Sequence, residues 1–152
     1  MSPIVSHIEI DRPPQEVFAY ATDPERFAEW QDDVVGVRIE GDRPLGVGSR
    51  FTTTRRIGPV EHNSTQAITE LQAPRRFAAR GIDGPLRAHA TITIQPLDGG
   101  NRSKVTFTLD FEGQGMGKVL VPDVVRRMAA KGAPRSYRNL KERLEHAAQR
   151  PA

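Results

Sequence analysis

Apolar and polar residues alternate along most of the chain, and near its end the alternation gives way to apolar residues spaced by three and four. The alternation from Ile4 through Ile8 to Ile10 predicts a half-buried strand. Asp11-Arg12-Pro13-Pro14 stops it, and proline near a first helical turn pre-sets φ for a short helix over Gln15–Ala21. Val17, Phe18 and Ala21 share one side of that helix. Thr22-Asp23-Pro24-Glu25 reads as a second helix start, capped either by a Thr22–Glu25 capping box or by Asp23. The second short helix runs to Trp30 and turns Phe27 and Trp30 to one face. Val35–Ile39 alternates again as a strand, and Gly41 to Gly48 is a glycine- and proline-rich loop.

A meander follows, with strands expected at Arg50–Ile57, Val60–Leu71, Arg76–Ile82, Leu86–Leu97 and Lys104–Glu112. The breaks between them, such as Gly58-Pro59 and Asp83-Gly84-Pro85, are too short for parallel crossovers, so neighbouring strands should be antiparallel. Leu86, Ala88, Ala90, Ile92 and Ile94 make one continuous apolar face, and Val105, Phe107, Leu109 and Phe111 another. Two strands break this rule. Between Val60 and Ile68 the same face carries His62, Ser64 and Gln66, and between Phe51 and Ile57 it carries Thr53 and Arg55. Such a face is either the wall of a wet pocket or a place where the strands bulge or leave the helix.

From Gly115 to Leu144 the stripe of Val121, Val124, Val125, Met128, Ala129, Leu140 and Leu144 predicts one long helix packed on the sheet. Its middle turns carry the small residues Gly132, Ala133 and Ser136, which either let the sheet come close or leave a space. Pro134 removes a backbone hydrogen bond and predicts a kink or short break near Lys131–Pro134. Gly113-Gln114-Gly115-Met116-Gly117 reads as a hinge into the helix.

Composition narrows the classes. The chain has 152 residues, 37% hydrophobic and 27% charged, the mix of one globular domain, read as residues 1–148 with a frayed tail at 149–152. No cysteine is present, which excludes disulfides, thiolate nucleophiles and cysteine-ligated metals. The net charge of +3 is too small to argue for nucleic acid. The helix is basic, with Arg126, Arg127, Lys131, Arg135, Arg138, Lys141 and Arg143, but no aromatics are interleaved for base stacking. It reads as a solvated outer face rather than a nucleic-acid or membrane surface. No apolar run approaches a membrane span and no signal peptide is visible, so a cytoplasmic location is the default. No metal triad, nucleophile elbow, phosphate loop or dinucleotide fingerprint occurs, and neither cofactor nor metal is expected. Oligomeric state is left open.

The order of strand, two short helices ending in Phe27-Ala28-Glu29-Trp30, meander and long helix resembles the START-like (SRPBCC) superfamily, in its polyketide cyclase/dehydrase-type branch. Ile8 to Phe18, Thr22 to Trp30, Gly48-Ser49-Arg50-Phe51, Ile68-Thr69-Glu70-Leu71, Pro74-Arg75-Arg76-Phe77 and Asn139 to Glu145 carry the likeness. The resemblance implies an α+β helix-grip fold: a curved antiparallel sheet wrapped around a long C-terminal helix, with a mainly apolar cavity between them. It names no chemistry, because the superfamily spans cyclases, lipid and hormone binders, quinone binders and co-chaperones.

Placed in that fold, the candidate ligand-binding residues are Phe51, Arg55, Ser64, Gln66, Ile68, Ile92, Phe107, Val125, Met128 and Ser136. The ligand they suit is a small hydrophobic or aromatic molecule, polyketide-, lipid- or quinone-like. His62 and Tyr137 are the candidates for proton transfer in the alternative, a polyketide cyclase or dehydrase. Each also has a plain reading: His62 as an orienting or exposed histidine, Tyr137 as a packed ring with a wet hydroxyl, Arg55 as a rim charge.

Overall fold

The alternating segments become seven strands in the computed structural model, which describes residues 4–83, 86–113 and 134–146. They are β1 (Ile4–Ile10), β2 (Val34–Glu40), β3 (Arg50–Ile57), β4 (Val60–Gln72), β5 (Arg76–Gly81), β6 (Leu86–Leu97) and β7 (Arg102–Gly113). Helices α1 (Pro14–Ala21) and α2 (Phe27–Trp30) lie between β1 and β2, joined by a 3-10 turn at Pro24–Arg26. Helix α3 is described over residues 134–146. The observed bounds differ from the expected ones by one or two residues at several ends.

The strands form one curved antiparallel sheet in the order β1-β7-β6-β5-β4-β3-β2. β1 and β2 therefore lie at opposite edges, and the α1–α2 segment carries the chain from one edge to the other. Registers such as Ile8↔Val105, Ile94↔Val105 and Ile92↔Phe77 put the alternating apolar residues on one inner face. Ile10, Val17, Phe18, Ile68, Phe77, Ile92, Ile94 and Val105 form the core there, closed by Leu140 and Leu144 of α3. His89, which alternates with the apolar face of β6, is exposed. This is the helix-grip arrangement.

Local chemistry chooses among the expected caps. The Thr22 hydroxyl donates to the Phe18 carbonyl at 2.7 Å and so closes the end of α1. Asp23 accepts from the Glu25 N–H at 3.2 Å and starts the next turn. The capping box does not form because its threonine is engaged behind it. In the tight β3–β4 hairpin, Gly58 adopts a φ of 61°, a left-handed geometry that glycine takes without steric cost.

Bulges occur at Val34/Gly36 and at Ile68/Glu70, but β3 and β4 pair without interruption from Arg50↔Ala67 to Ile57↔Val60. The polar run between Val60 and Ile68 is thus not the product of a bulge. Val125, Met128, Gly132, Ala133 and the kink expected near Lys131–Pro134 fall outside the described residues. No helix among the described residues is long and apolar enough to cross a membrane.

Leu140 is fully buried at the centre of the closing contact. Leu140→Ala is expected to lower the unfolding free energy by about 2–5 kcal/mol. His89→Ala on the exposed outer face should change it by no more than about 0.5 kcal/mol. Urea denaturation of the two variants checks both values.

Candidate functional site

β3 and β4 bring the polar inner residues opposite one another, with Thr53 facing Ser64, Phe51 facing Gln66 and Arg55 facing His62. Thr53 is 1% exposed, a depth at which a hydroxyl needs a partner. It donates to Gln66 Oε1 at 3.0 Å, and Gln66 Nε2 donates to Ser64 Oγ at 2.8 Å. The chain of bonds ends on half-buried Ser64, whose own O–H remains a donor. Arg55 is held from the side: Nη1 donates to Asp33 Oδ1 at 2.9 Å. Asp33 sits in the α2–β2 turn, and its backbone carbonyl also accepts from the Arg56 N–H at 2.8 Å.

The apolar side of this corner is a run of aromatic rings. Phe51 meets Phe27 edge-on at 5.8 Å, Phe27 meets Trp30 at 6.0 Å, and Trp30 meets Phe107 at 6.1 Å. Phe107 carries the Tyr137 ring flat upon it, with centroids 3.8 Å apart and planes 9° from parallel. Tyr137 comes from the first described turns of α3, and that end of the helix is tied to the α2–β2 turn. Asn139 Nδ2 donates to Asp32 Oδ1 at 2.9 Å and to the Trp30 carbonyl at 3.3 Å, while Arg135 pairs with Asp32 at 2.9 Å. The same turn therefore positions both Arg55 and Tyr137.

The structure thus places Phe51, Gln66, Ser64, Arg55, Phe107 and Tyr137 along one part of the inner face. Ile68 and Ile92 lie in the core beside it, and Ser136 is half-buried on α3. His62 stands across from Arg55 but is exposed, with no hydrogen-bond partner among the described residues. Asp33 escaped sequence reasoning because 22 positions separate it from Arg55 and no motif links them. Two clefts of about 190 and 240 Å³ lie elsewhere. One is floored by Ile68 and Phe77 beside α1 and the β2–β3 loop, the other is lined by Pro14, Pro74 and Pro96. Among the described residues no cluster of histidine and carboxylate side chains could hold a metal.

The two tyrosines of the chain should titrate late. Burial pushes the Tyr137 phenol from 10.0 up to about 12, against an opposing pull from the Arg55 charge. Burial, then the bonded Glu29 carboxylate, push Tyr20 up to about 12. A phenol that ionises near 10.0 when unfolded and near 12 when folded contributes stability that is whole below the lower value. Across that window the unfolded state holds fewer protons, so stability falls as pH rises. Ultraviolet titration should show little phenolate until close to pH 12 or until unfolding. Tyr137→Phe should make the stability loss shallower, and Arg55→Met should move the Tyr137 titration higher still.

Comparison with known proteins bears on this arrangement. No protein of curated function is a significant match to the sequence. Solved structures superpose closely at low identity. The Zhui aromatase/cyclase of Streptomyces sp. R1128 does so with a TM-score of 0.81 and 13% identity, over 96% of this chain and 94% of that one. A START superfamily protein of Mycobacterium smegmatis gives 0.79 and 15%, over 97% and 99%. A protein of Thermus thermophilus gives 0.77 and 18%, over 95% and 98%. These likenesses establish the fold. Membership rests on the family model described as polyketide cyclase / dehydrase and lipid transport, which matches residues 1–145, and the chain belongs to that family.

Proposed function

We propose that the protein binds a small hydrophobic or aromatic molecule, polyketide-, lipid- or quinone-like, between the sheet and α3. The observation carrying this reading is the change in character of the inner face. Where Leu140 and Leu144 cover it the face is apolar. Elsewhere it carries a hydroxyl–amide chain that starts from buried Thr53, an arginine fixed by Asp33, and a phenol stacked on Phe107. Polar groups are costly in a core and informative in a binding site, where a few of them orient a mainly apolar ligand. Apolar burial by Phe51, Ile68, Ile92 and Phe107, with Val125 and Met128 from the sequence pattern, supplies affinity at roughly 25 cal/mol per Å². Arg55, Ser64, Gln66 and Ser136 set orientation.

The alternative is a polyketide cyclase or dehydrase, and the state of Tyr137 favours one version of it. A phenol pushed up to about 12 stays neutral at physiological pH, so Tyr137 would donate a hydrogen bond to a carbonyl rather than act as a base. Removal of a proton would then fall to His62.

Thermal melts with a panel of naphthoquinones, aromatic polyketides and fatty acids test the binding reading. A rise in Tm is expected for at least one class, and no shift with any of them overturns it. For the class that binds, Tyr137→Phe and Arg55→Met should weaken affinity by roughly fivefold to tenfold. Substrate turnover retained in His62→Ala would remove His62 from the mechanism. A Tyr137→Phe variant that binds but does not turn over would favour the enzyme.

A further inference from the structure

Trp30 is 2% exposed and packs between Phe27 and Phe107. Its indole N–H, however, is a buried donor with no hydrogen-bond partner among the described residues. Native proteins pair nearly all such groups, because an unpaired buried donor forfeits its bond to water and receives nothing in exchange. Packing alone does not explain it, since a phenylalanine would fill most of this space without the donor. The neighbouring polar groups do not answer it either. The Asn139 amide nitrogen is itself a donor, to the Trp30 carbonyl and to Asp32.

The groups around it share a character. Trp30 touches Phe107, Phe107 carries Tyr137, and Arg55 lies close enough to Tyr137 to affect its titration. An indole N–H, a phenol O–H and a guanidinium can all donate, and the indole N–H can do nothing else. Aromatic carbon flanks the indole on two sides. A flat apolar molecule bearing a hydrogen-bond acceptor matches the rings and the donor together.

Building on the binding reading above, we propose that the Trp30 indole N–H donates a hydrogen bond to a ring-borne oxygen of the bound molecule. It thereby selects aromatic ketones and quinones over hydrocarbons of the same shape. The competing use of this donor is internal: Phe27 lies 6.0 Å away with its plane 82° from that of Trp30, a geometry in which an N–H can rest on an aromatic face.

The chain holds a single tryptophan, so one indole cross-peak in the ¹⁵N–¹H spectrum reports on this group alone. The protein is titrated with 2-acetylnaphthalene and with 2-isopropenylnaphthalene, which match in shape and differ in the acceptor. The ketone should bind roughly tenfold more tightly and move the indole proton downfield. In Trp30→Phe the preference should fall to near unity while the hydrocarbon still binds. Equal affinities with the indole peak unmoved by the ketone would overturn the proposal, assign the N–H to Phe27, and leave interior binding standing. Failure of both compounds to bind would overturn the binding reading and this one with it. If Trp30→Phe does not fold, the ligand pair and the indole peak of the unsubstituted protein still decide between these outcomes.

Discussion

Covering the inner face of the sheet is the constraint on which the fold depends. Seven antiparallel strands expose a curved apolar surface that no strand can cover, and α3 closes one end of it with Leu140 and Leu144. Apolar burial supplies the driving force but has no direction, so it cannot decide where along the sheet the helix stops. Hydrogen bonds do that. Lys141 Nζ donates to the Glu9 carbonyl at 2.7 Å, and Glu145 accepts from the Asp11 N–H at 2.9 Å, fixing the C-terminal part of the helix to the end of β1. Asn139 and Arg135 fix the other described part to the α2–β2 turn. Exposed pairs of this kind add little stability. Their consequence is register, and register puts Tyr137 over Phe107.

The same turn couples fold to site. Asp32 receives the helix and Asp33 receives Arg55, so two adjacent carboxylates set the spacing between a phenol and a guanidinium on different elements. Arg55 raises no desolvation problem on this account, because its charge is balanced at 2.9 Å while its side chain stays 35% exposed. Tyr137 needs no such compensation, since its neutral form is the one that burial favours. The corner therefore holds polar groups without leaving an unpaired charge in the core.

Much of this was legible in the residues. Period-two alternation located all seven strands, because each has one face on the core and one on solvent. The polar residues between Val60 and Ile68 set β3 and β4 apart in the sequence, and the unbroken register shows that a regular strand carries them, with Ser64 and Gln66 half-buried and His62 exposed. What escaped was non-local. The Thr22–Glu25 spacing satisfied a capping rule, but the Thr22 hydroxyl had a nearer carbonyl in the turn behind it. The Asp33–Arg55 pair and the Tyr137–Phe107 stack join elements whose separation in sequence carries no signal. Trp30 was readable as a buried ring, while the state of its N–H depends on every neighbour at once and follows from no pattern.

Neighbours at 13–18% identity keep the same fold, which is reasonable if the fold asks mainly for alternation, two short helices and an anchored closing helix. Alternation tolerates almost any apolar residue at an inward position. Donors and acceptors are not interchangeable in that way, because a buried donor exchanged for a methyl alters what the site can recognise while leaving the packing nearly intact. In this chain the Arg55 guanidinium, the Tyr137 hydroxyl and the Trp30 indole nitrogen are polar groups that alternation does not call for. All three donate. Selectivity in the proposed site is then carried by hydrogen-bond polarity, with the apolar surface setting how tightly a ligand is held and the donors deciding which ligand it is.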